Sequence, residues 1–306
     1  MATRARWILP VATLAAPAGI AFSALVPSQS YPTDLLASLA APGIVLSLAA
    51  AIGWASRRRC RPALLALLVA FSLVAIQSTT LPRAPRVPGP GLRVFLVNSR
   101  ASSHRAEEQL EAILAADAHA VALVEPSAAL LDAIRGSADF GERFPHGHLP
   151  DRARGGFVAL FTRDPPVESR ENGRTLVLPS PAGREWILAA AHPRSPRTLA
   201  TWREGNRRVR DLVDLANGRG ERDLVILVDL NSTPTGARGR ALAGAGLRPT
   251  KPFFRPQATW PAFIPWPARL AIDDAWTTPG VGVVSWSTVP IPGSDHLGVL
   301  VELNDR

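Results

Sequence analysis

Of the 306 residues, a single one is cysteine, Cys60, and a single one is lysine, Lys251, against 33 arginines. One cysteine excludes an intramolecular disulfide and a thiolate-rich metal site. Cys60 stands in an arginine cluster, where lipidation is the one special role open to it. The near-absence of lysine, with abundant Ala, Pro and Gly, reads as codon usage rather than function. Acids are scarce in one region only. Residues 1–90 contain eight arginines and one acid, Asp34, a net +7, whereas residues 91–306 hold 26 basic and 24 acidic residues, a net +2. The overall charge of +9 therefore does not describe a basic face spread over a globular domain, which argues against a nucleic-acid surface. Internal repeats and low-complexity tracts are absent as well, and the 47% hydrophobic content excludes a disordered chain.

Uncharged apolar runs fill the acid-poor region. Residues 7–26, 35–55 and 63–80 each approach the ~20 residues needed to cross a bilayer, so the sequence predicts about three transmembrane helices within residues 1–81. A cleavable signal peptide is the alternative for the first, because Arg4 and Arg6 precede it and small residues follow at Ala21 and Ser23–Ala24. The positive-inside rule places Arg4, Arg6 and the Arg57–Arg58–Arg59–Cys60–Arg61 run in the cytoplasm and delivers the remainder of the chain outside. That sidedness depends on the third segment. Residues 82–91, with Pro82, Pro85, Pro88 and Pro90, predict a stiff extended linker.

From residue 92 short apolar runs alternate with helical periodicity. Strands are predicted at 92–97, 120–124, 157–161, 186–191, 224–228 and 299–302, and helices at 107–116 and 202–216, an α/β domain in one piece. Polar residues of catalytic type fall where these runs end: Asn98, Glu125, His192, Asp229 with Asn231, Asp273, and Asp295 with His296. Taken singly, an Asn or Asp after a strand is usually a turn residue.

As an ordered set the motifs are specific. Leu-Val-Glu-Pro-Ser (123–127), Gly-Gly-Phe-Val-Ala-Leu-Phe-Thr-Arg (155–163), Ala-Ala-His-Pro (190–193), Val-Asp-Leu-Asn (228–231), Ala-Thr-Trp-Pro (258–261) before Ala-Ile-Asp-Asp (271–274), and Gly-Ser-Asp-His (293–296) resemble, in order, the segments of the endonuclease/exonuclease/phosphatase superfamily. That superfamily includes metal-dependent deoxyribonucleases, sphingomyelinases and inositol polyphosphate phosphatases. The resemblance implies a DNase I-like four-layer α-β-β-α sandwich over residues 92–306, preceded here by the membrane segments, and a divalent cation, Mg²⁺ or Mn²⁺. It implies Glu125, Asn98 and Asp295 as metal ligands, His296 as general base oriented by Asp273, Asp229 and Asn231 positioning water and a phosphoryl oxygen, and His192 donating to the phosphate. Oxygen ligands and a histidine–carboxylate pair suit such chemistry. Val228, Leu230 and Asp274 depart from the usual pattern without removing a proposed group. Arg154 and Arg194 are candidate phosphate clamps, with solvated loop arginines as the plainer reading. Trp260, Phe263 and Trp266 are read as lipid-facing, crevice-covering or core aromatics.

The expected function is an extracytoplasmic, membrane-anchored phosphoesterase acting on a lipid phosphate or isoprenoid pyrophosphate, with the bilayer as its partner and nucleic acid disfavoured. A nuclease on the same fold, and a non-catalytic membrane-anchored binding protein, are the alternatives.

Overall fold

Apolar residues occupy consecutive positions in the central runs, the pattern of strands covered on both faces. The computed structural model describes residues 2–25, 30–79, 82–149, 157–170, 174–252, 257–265 and 268–306, with side chains in the first and fourth helices at 14–25 and 60–76. Four helices come first: α1 (Ala2–Leu25), α2 (Tyr31–Ala37), α3 (Ala40–Ser56) and α4 (Cys60–Thr79). Then follow β1 (Leu92–Asn98), α5 (Ala106–Ala115), β2 (Ala120–Val124), α6 (Ala128–Gly136), α7 (Ala138–Arg143), β3 (His146–Gly147), β4 (Val158–Thr162), β5 (Glu168–Arg170), β6 (Thr175–Pro179) and β7 (Glu185–Ala191). The chain ends with α8 (Leu199–Asn217), β8 (Asp223–Asp229), α9 (Ala237–Gly244), β9 (Arg248–Pro249), β10 (Asp273–Thr277), β11 (Val281–Pro290) and β12 (Leu297–Asp305).

Two six-stranded sheets form, in the orders β11-β12-β1-β2-β4-β3 and β5-β6-β7-β8-β10-β9. Each has one parallel pair at its centre, β1 with β2 and β7 with β8, joined by the crossover helices α5 and α8. Alternation along each strand divides the core into three layers. Val94, Leu96, Ala120, Ala122, Val225 and Leu227 meet between the sheets. Phe95, Val97, Val121 and Leu123 pack under α5, α6 and α7, and Leu224, Ile226 and Val228 under α8 and α9. This is the expected helix–sheet–sheet–helix sandwich. β3, β5, β6, β9, β10 and β11 were not predicted, and neither were α6, α7 and α9. Elsewhere the strand and helix positions agree to within one to three residues.

The N-terminal region differs from expectation. No single helix, among the described residues, is long and apolar enough to cross a membrane, and α2 with α3 pass that test only together, bent by 60°. The uninterrupted span expected at 35–55 is therefore corrected to a short helix, a corner at Ser38–Leu39, and α3. Pro42 accounts for the break, because it offers no amide to the Ser38 carbonyl and its ring opposes helix there. Of the expected spans at 7–26 and 63–80, residues 7–25 fall in α1 and 63–79 in α4, neither of which passes that test, and residues 26 and 80 lie outside the described residues. A tight turn with Arg58 at φ +55° reverses α3 into α4, and Arg57 and Arg59 each stand 5.8 Å from the Trp54 ring.

The linker is extended as expected, but it is not a free spacer. Ala84 donates to the Pro249 carbonyl of β9 at 3.1 Å, Val283 donates to Pro85 at 2.7 Å and Val87 to Val283 at 3.1 Å, so residues 85–87 lie along β11. Arg83 beside them is largely buried near Asp274, which lowers its pKa chiefly by desolvation, with Asp274 opposing.

Leu123 has no exposed surface and sits in the layer between β2 and its covering helices. Leu123→Ala is expected to destabilise the domain by about 2–5 kcal/mol, read as a lowered denaturant midpoint at unchanged slope.

Candidate active site

The carboxyl ends of both parallel pairs open at one edge of the sandwich, the place where α/β sheets leave room between diverging loops. Asn98 ends β1, Glu125 follows β2, His192 follows β7 and Asp229 ends β8. Asp273 and His296 arrive differently from the strand-end expectation, since each stands at the beginning of its strand or just before it. β10 runs antiparallel to β8 with Asp273 paired to Asp229, and β12 runs antiparallel to β1. The starts of these strands therefore fall on the same edge as the ends of their neighbours.

Asp229, Asp273 and His296 are buried, and their ligand atoms lie within 4.8 Å of one another. His296 Nδ1 is 2.9 Å from Asp273 Oδ2. Asn98 Nδ2 donates to Asp229 Oδ2 at 2.8 Å and stands 3.5 Å from His296 Nε2. On the other flank, His192 Nε2 lies 3.0 Å from the Asn231 amide nitrogen, 3.4 Å from Glu125 and 3.6 Å from Asp229. Asn231 also donates to the Pro193 carbonyl at 3.1 Å. Asp295 is held by the Trp260 indole at 3.0 Å, with Arg100 3.9 Å away. All eight predicted side chains thus meet in one crevice.

The backbone is strained at this edge. Glu125 and Asn231 both adopt φ +49° and Arg100 φ +58°, conformations costing about 1–2 kcal/mol for ordinary L residues. Each is braced: Glu125 N donates to the Phe157 carbonyl at 2.8 Å, Asn231 N to Asp229 Oδ1 at 2.9 Å and Arg100 N to Asn98 Oδ1 at 3.0 Å.

Burial lowers the basicity of His296, but the Asp273 charge and hydrogen bond, with Asp229 and Asp295 beyond, outweigh it and raise the imidazole pKa to about 10. Without a cation Asp273 thus favours the protonated imidazole, while burial and the Asp229 charge push the Asp273 carboxyl itself upward. Four carboxylates, Glu125, Asp229, Asp273 and Asp295, surround the crevice, and Asp273 Oδ1 is buried without a hydrogen-bond partner among the described residues. Excess negative charge and an orphan oxygen suit a hard divalent cation with its waters. The same cation would oppose the rise in the His296 pKa.

Residues 92–296 match the Endonuclease/Exonuclease/phosphatase family. The chain belongs to this family. Endonuclease/Exonuclease/phosphatase members are metal-dependent phosphoester hydrolases, and this chain is such an enzyme. The sandwich is similar to an endonuclease/exonuclease/phosphatase from Bacteroides vulgatus at TM-score 0.56 and 17% identity, covering 71% of this chain and 100% of that one. The human Nocturnin catalytic domain with bound sulfate matches at TM-score 0.53 and 18% identity, over 73% and 96%. D. rerio TDP2 complexed with single strand DNA product matches at TM-score 0.54 and 16% identity, over 70% and 99%. These likenesses show the fold. No curated protein matches the chain.

Several residues at the site of this family member carried no signal of their own in the sequence. Ser294 donates to the Asn98 carbonyl at 2.6 Å and accepts the His296 amide at 3.0 Å, pinning His296 to the end of β1. Arg100 reaches toward Asp295 from the position after Asn98–Ser99. Trp260, which the sequence did single out as lipid-facing, crevice-covering or core, has its ring centroid 6.3 Å from that of His296 and so stands at the site. Phe263 is 79% exposed nearby, and Trp266 lies outside the described residues. Of the candidate clamps, Arg194 pairs with Glu204 at 3.3 Å, and Arg154 lies outside the described residues. Asp274, the departure from the family pattern, turns away and accepts from Thr250, the Lys251 amide and the Trp286 indole.

Asp273→Asn removes the charge that holds the imidazolium. NMR of the cation-free protein is expected to show the His296 pKa falling from about 10, and turnover should drop by about 10²–10⁴.

Proposed function

We propose that this chain is a membrane-embedded hydrolase that cleaves a phosphate ester or pyrophosphate borne by a bilayer lipid, on the extracytoplasmic side. One observation carries the membrane half: the helices turn large apolar side chains outward, while small residues let them close around a few buried large ones such as Ile20, Leu73 and Ile76. Ala21, Ala40, Gly43, Ser47, Ala51 and Ala66 fill the contacts among α1, α3 and α4, and a Cβ on Gly43 would already stand 3.1 Å from Ile20. Ile52, Leu64 and Phe71 point outward at 71%, 70% and 71% exposure. Water penalises that arrangement and lipid favours it, since close backbone approach drives helix association in bilayers. By length and composition the bent pair α2–α3 is the segment that suits the hydrocarbon layer. The arginines between α3 and α4 lie at the end of the bundle opposite the sandwich, and the positive-inside rule then puts the active site outside. Exposed Phe157 and Phe263 flank the crevice, where an amphiphile's chains would lie.

In the proposed reaction Glu125, Asn98 and Asp295 hold Mg²⁺ or Mn²⁺, which when bound supplies charge stabilisation to the phosphoryl oxygens. Asp273 accepts from His296 Nδ1 and so leaves Nε2 toward the crevice. Neutral Nε2 takes a proton from water as the water oxygen bonds to phosphorus. Asp229 and Asn231 align that water with the phosphoryl group, and His192, beside Asn231, stabilises the charge gathering on its oxygens. The phosphorus–oxygen ester bond breaks, and the leaving oxygen carries its electron pair away and is protonated from solvent.

The test uses the full-length protein in lipid nanodiscs with Mg²⁺, presenting a lipid phosphate, an isoprenoid pyrophosphate and single-stranded DNA. Hydrolysis of a lipid substrate that stops with EDTA, and falls by about 10²–10⁴ in His296→Ala, is expected. Turnover confined to DNA, or indifference to both chelation and His296→Ala, overturns the reading.

A further inference from the structure

Asp34 is the single acid among the first 90 residues, and the reaction above makes no use of it. It is 4% exposed, because its side chain leaves the corner formed by α2 and enters the sandwich. Oδ1 accepts the amide of Ala237, the first residue of α9, at 2.6 Å. Oδ2 accepts the indole of Trp202, on α8, at 2.6 Å. The N-cap of α9 is Gly236, which has no side chain to satisfy the first amides, so Asp34 caps that helix from across the chain. A Cβ on Gly236 would come within 2.8 Å of Ser38 Oγ and 3.0 Å of Asp34 Oδ1, a measure of how close the two segments run.

Neighbouring bonds extend the clamp. The hydroxyl of Thr235 donates to the Ala37 carbonyl at 2.8 Å and that of Thr233 to the Ser38 carbonyl at 3.1 Å. Tyr31 donates to the Pro196 carbonyl at 2.8 Å. Residues 232–237 begin where Asn231 ends, and Pro196 lies on the loop that leaves His192. Arg238, buried behind them, donates to the carbonyls of Leu230 and Arg194, both at 2.8 Å, and so ties these two loops together. The α2 corner thus braces the backbone on which Asn231 is held at φ +49° beside His192.

We propose that Asp34 is a positioning residue of the active site: the α2 corner holds the loops of Asn231 and His192 in place, so turnover requires the N-terminal helices to be docked and not merely attached. The claim rests on the roles assigned above to Asn231 and His192. Displacing a substrate-positioning group by about an ångström costs up to 10²-fold in rate, and the corner supplies the bonds that prevent such a shift.

A double-mutant cycle on the full-length protein in detergent tests it, with bis(p-nitrophenyl) phosphate and Mg²⁺ as the probe. Asp34→Ala is expected to lower kcat by about ten- to a hundredfold, and Trp202→Phe by less. In an Asn231→Ala background Asp34→Ala should cost markedly less than in the wild type, because residues acting through one another are not additive. Loss of folded protein instead multiplies the two effects, and that outcome overturns the proposal, as does an unchanged kcat in Asp34→Ala. Hydrogen exchange supplies a readout independent of turnover. Amides of residues 230–237 should exchange faster in Asp34→Ala while those of β8 stay protected, and unchanged exchange at 230–237 also overturns it. A wild-type protein that hydrolyses nothing counts against the hydrolytic reading alone, and the exchange result then decides this one.

Discussion

The hydrogen bond from Asn98 to Asp229, 2.8 Å long, joins the final residues of two central strands that belong to different sheets. Everything in the crevice depends on that junction. It fixes how the edges of the sheets meet, and the register of β10 against β8 then places Asp273 opposite Asp229. Asp273 holds His296, and His296 is anchored through Ser294 to the carbonyl of Asn98. The ring of contacts closes on the residue where it began. Two sheets packed through apolar side chains alone could slide with little penalty. A buried amide–carboxylate bond adds direction, because leaving either partner unpaired costs about 1–3 kcal/mol.

The strands that position this junction are the ones the sequence states most openly. β2, β7, β8 and, from Val94 on, β1 are covered on both faces, so their central residues are apolar without interruption and read as strands at once. β10 hid because it begins with two acids, Asp273 and Asp274, whose burial is tolerable only through long-range partners: His296 for one, Thr250 and Trp286 for the other. β11 hid behind Gly282, Ser285 and Ser287, residues that weaken a strand pattern. The eight site side chains were legible as an ordered set, each beside an apolar run. Their supports were not. Ser294, Trp260 and Arg100 act through contacts that no local period encodes, and α2 was concealed inside an apolar stretch whose break only Pro42 betrays.

The separation of charge in the sequence acquires a structural meaning. The arginines of the turn between α3 and α4 sit at one end of the helices, the sandwich at the other, and the net +2 of residues 91–306 leaves the crevice dominated by carboxylates. Such a crevice attracts a cation before it attracts a phosphate. In the reaction proposed above the phosphoryl group is then met by the bound charge and by the polar hydrogens of Asn231 and His192.

Asp34 departs from this separation, and the departure has a cost that must be met. A lone carboxylate in an apolar, arginine-flanked segment would be unfavourable both in lipid and against the protein interior. It becomes tolerable where the start of α9, the Trp202 indole and the charges of Arg238 and Arg240 converge on it. The linker is docked too, through Ala84 to β9 and through Pro85 and Val87 to β11. The sandwich is therefore held at two separated points, one beside the loops of His192 and Asn231 and one along the edge strands β9 and β11. One attachment leaves a domain free to pivot, whereas two set its orientation. With the α2 corner at the end of the helices, the crevice is held at a constant height and tilt relative to them, which is what an enzyme needs if its substrate arrives along a surface rather than from bulk solution.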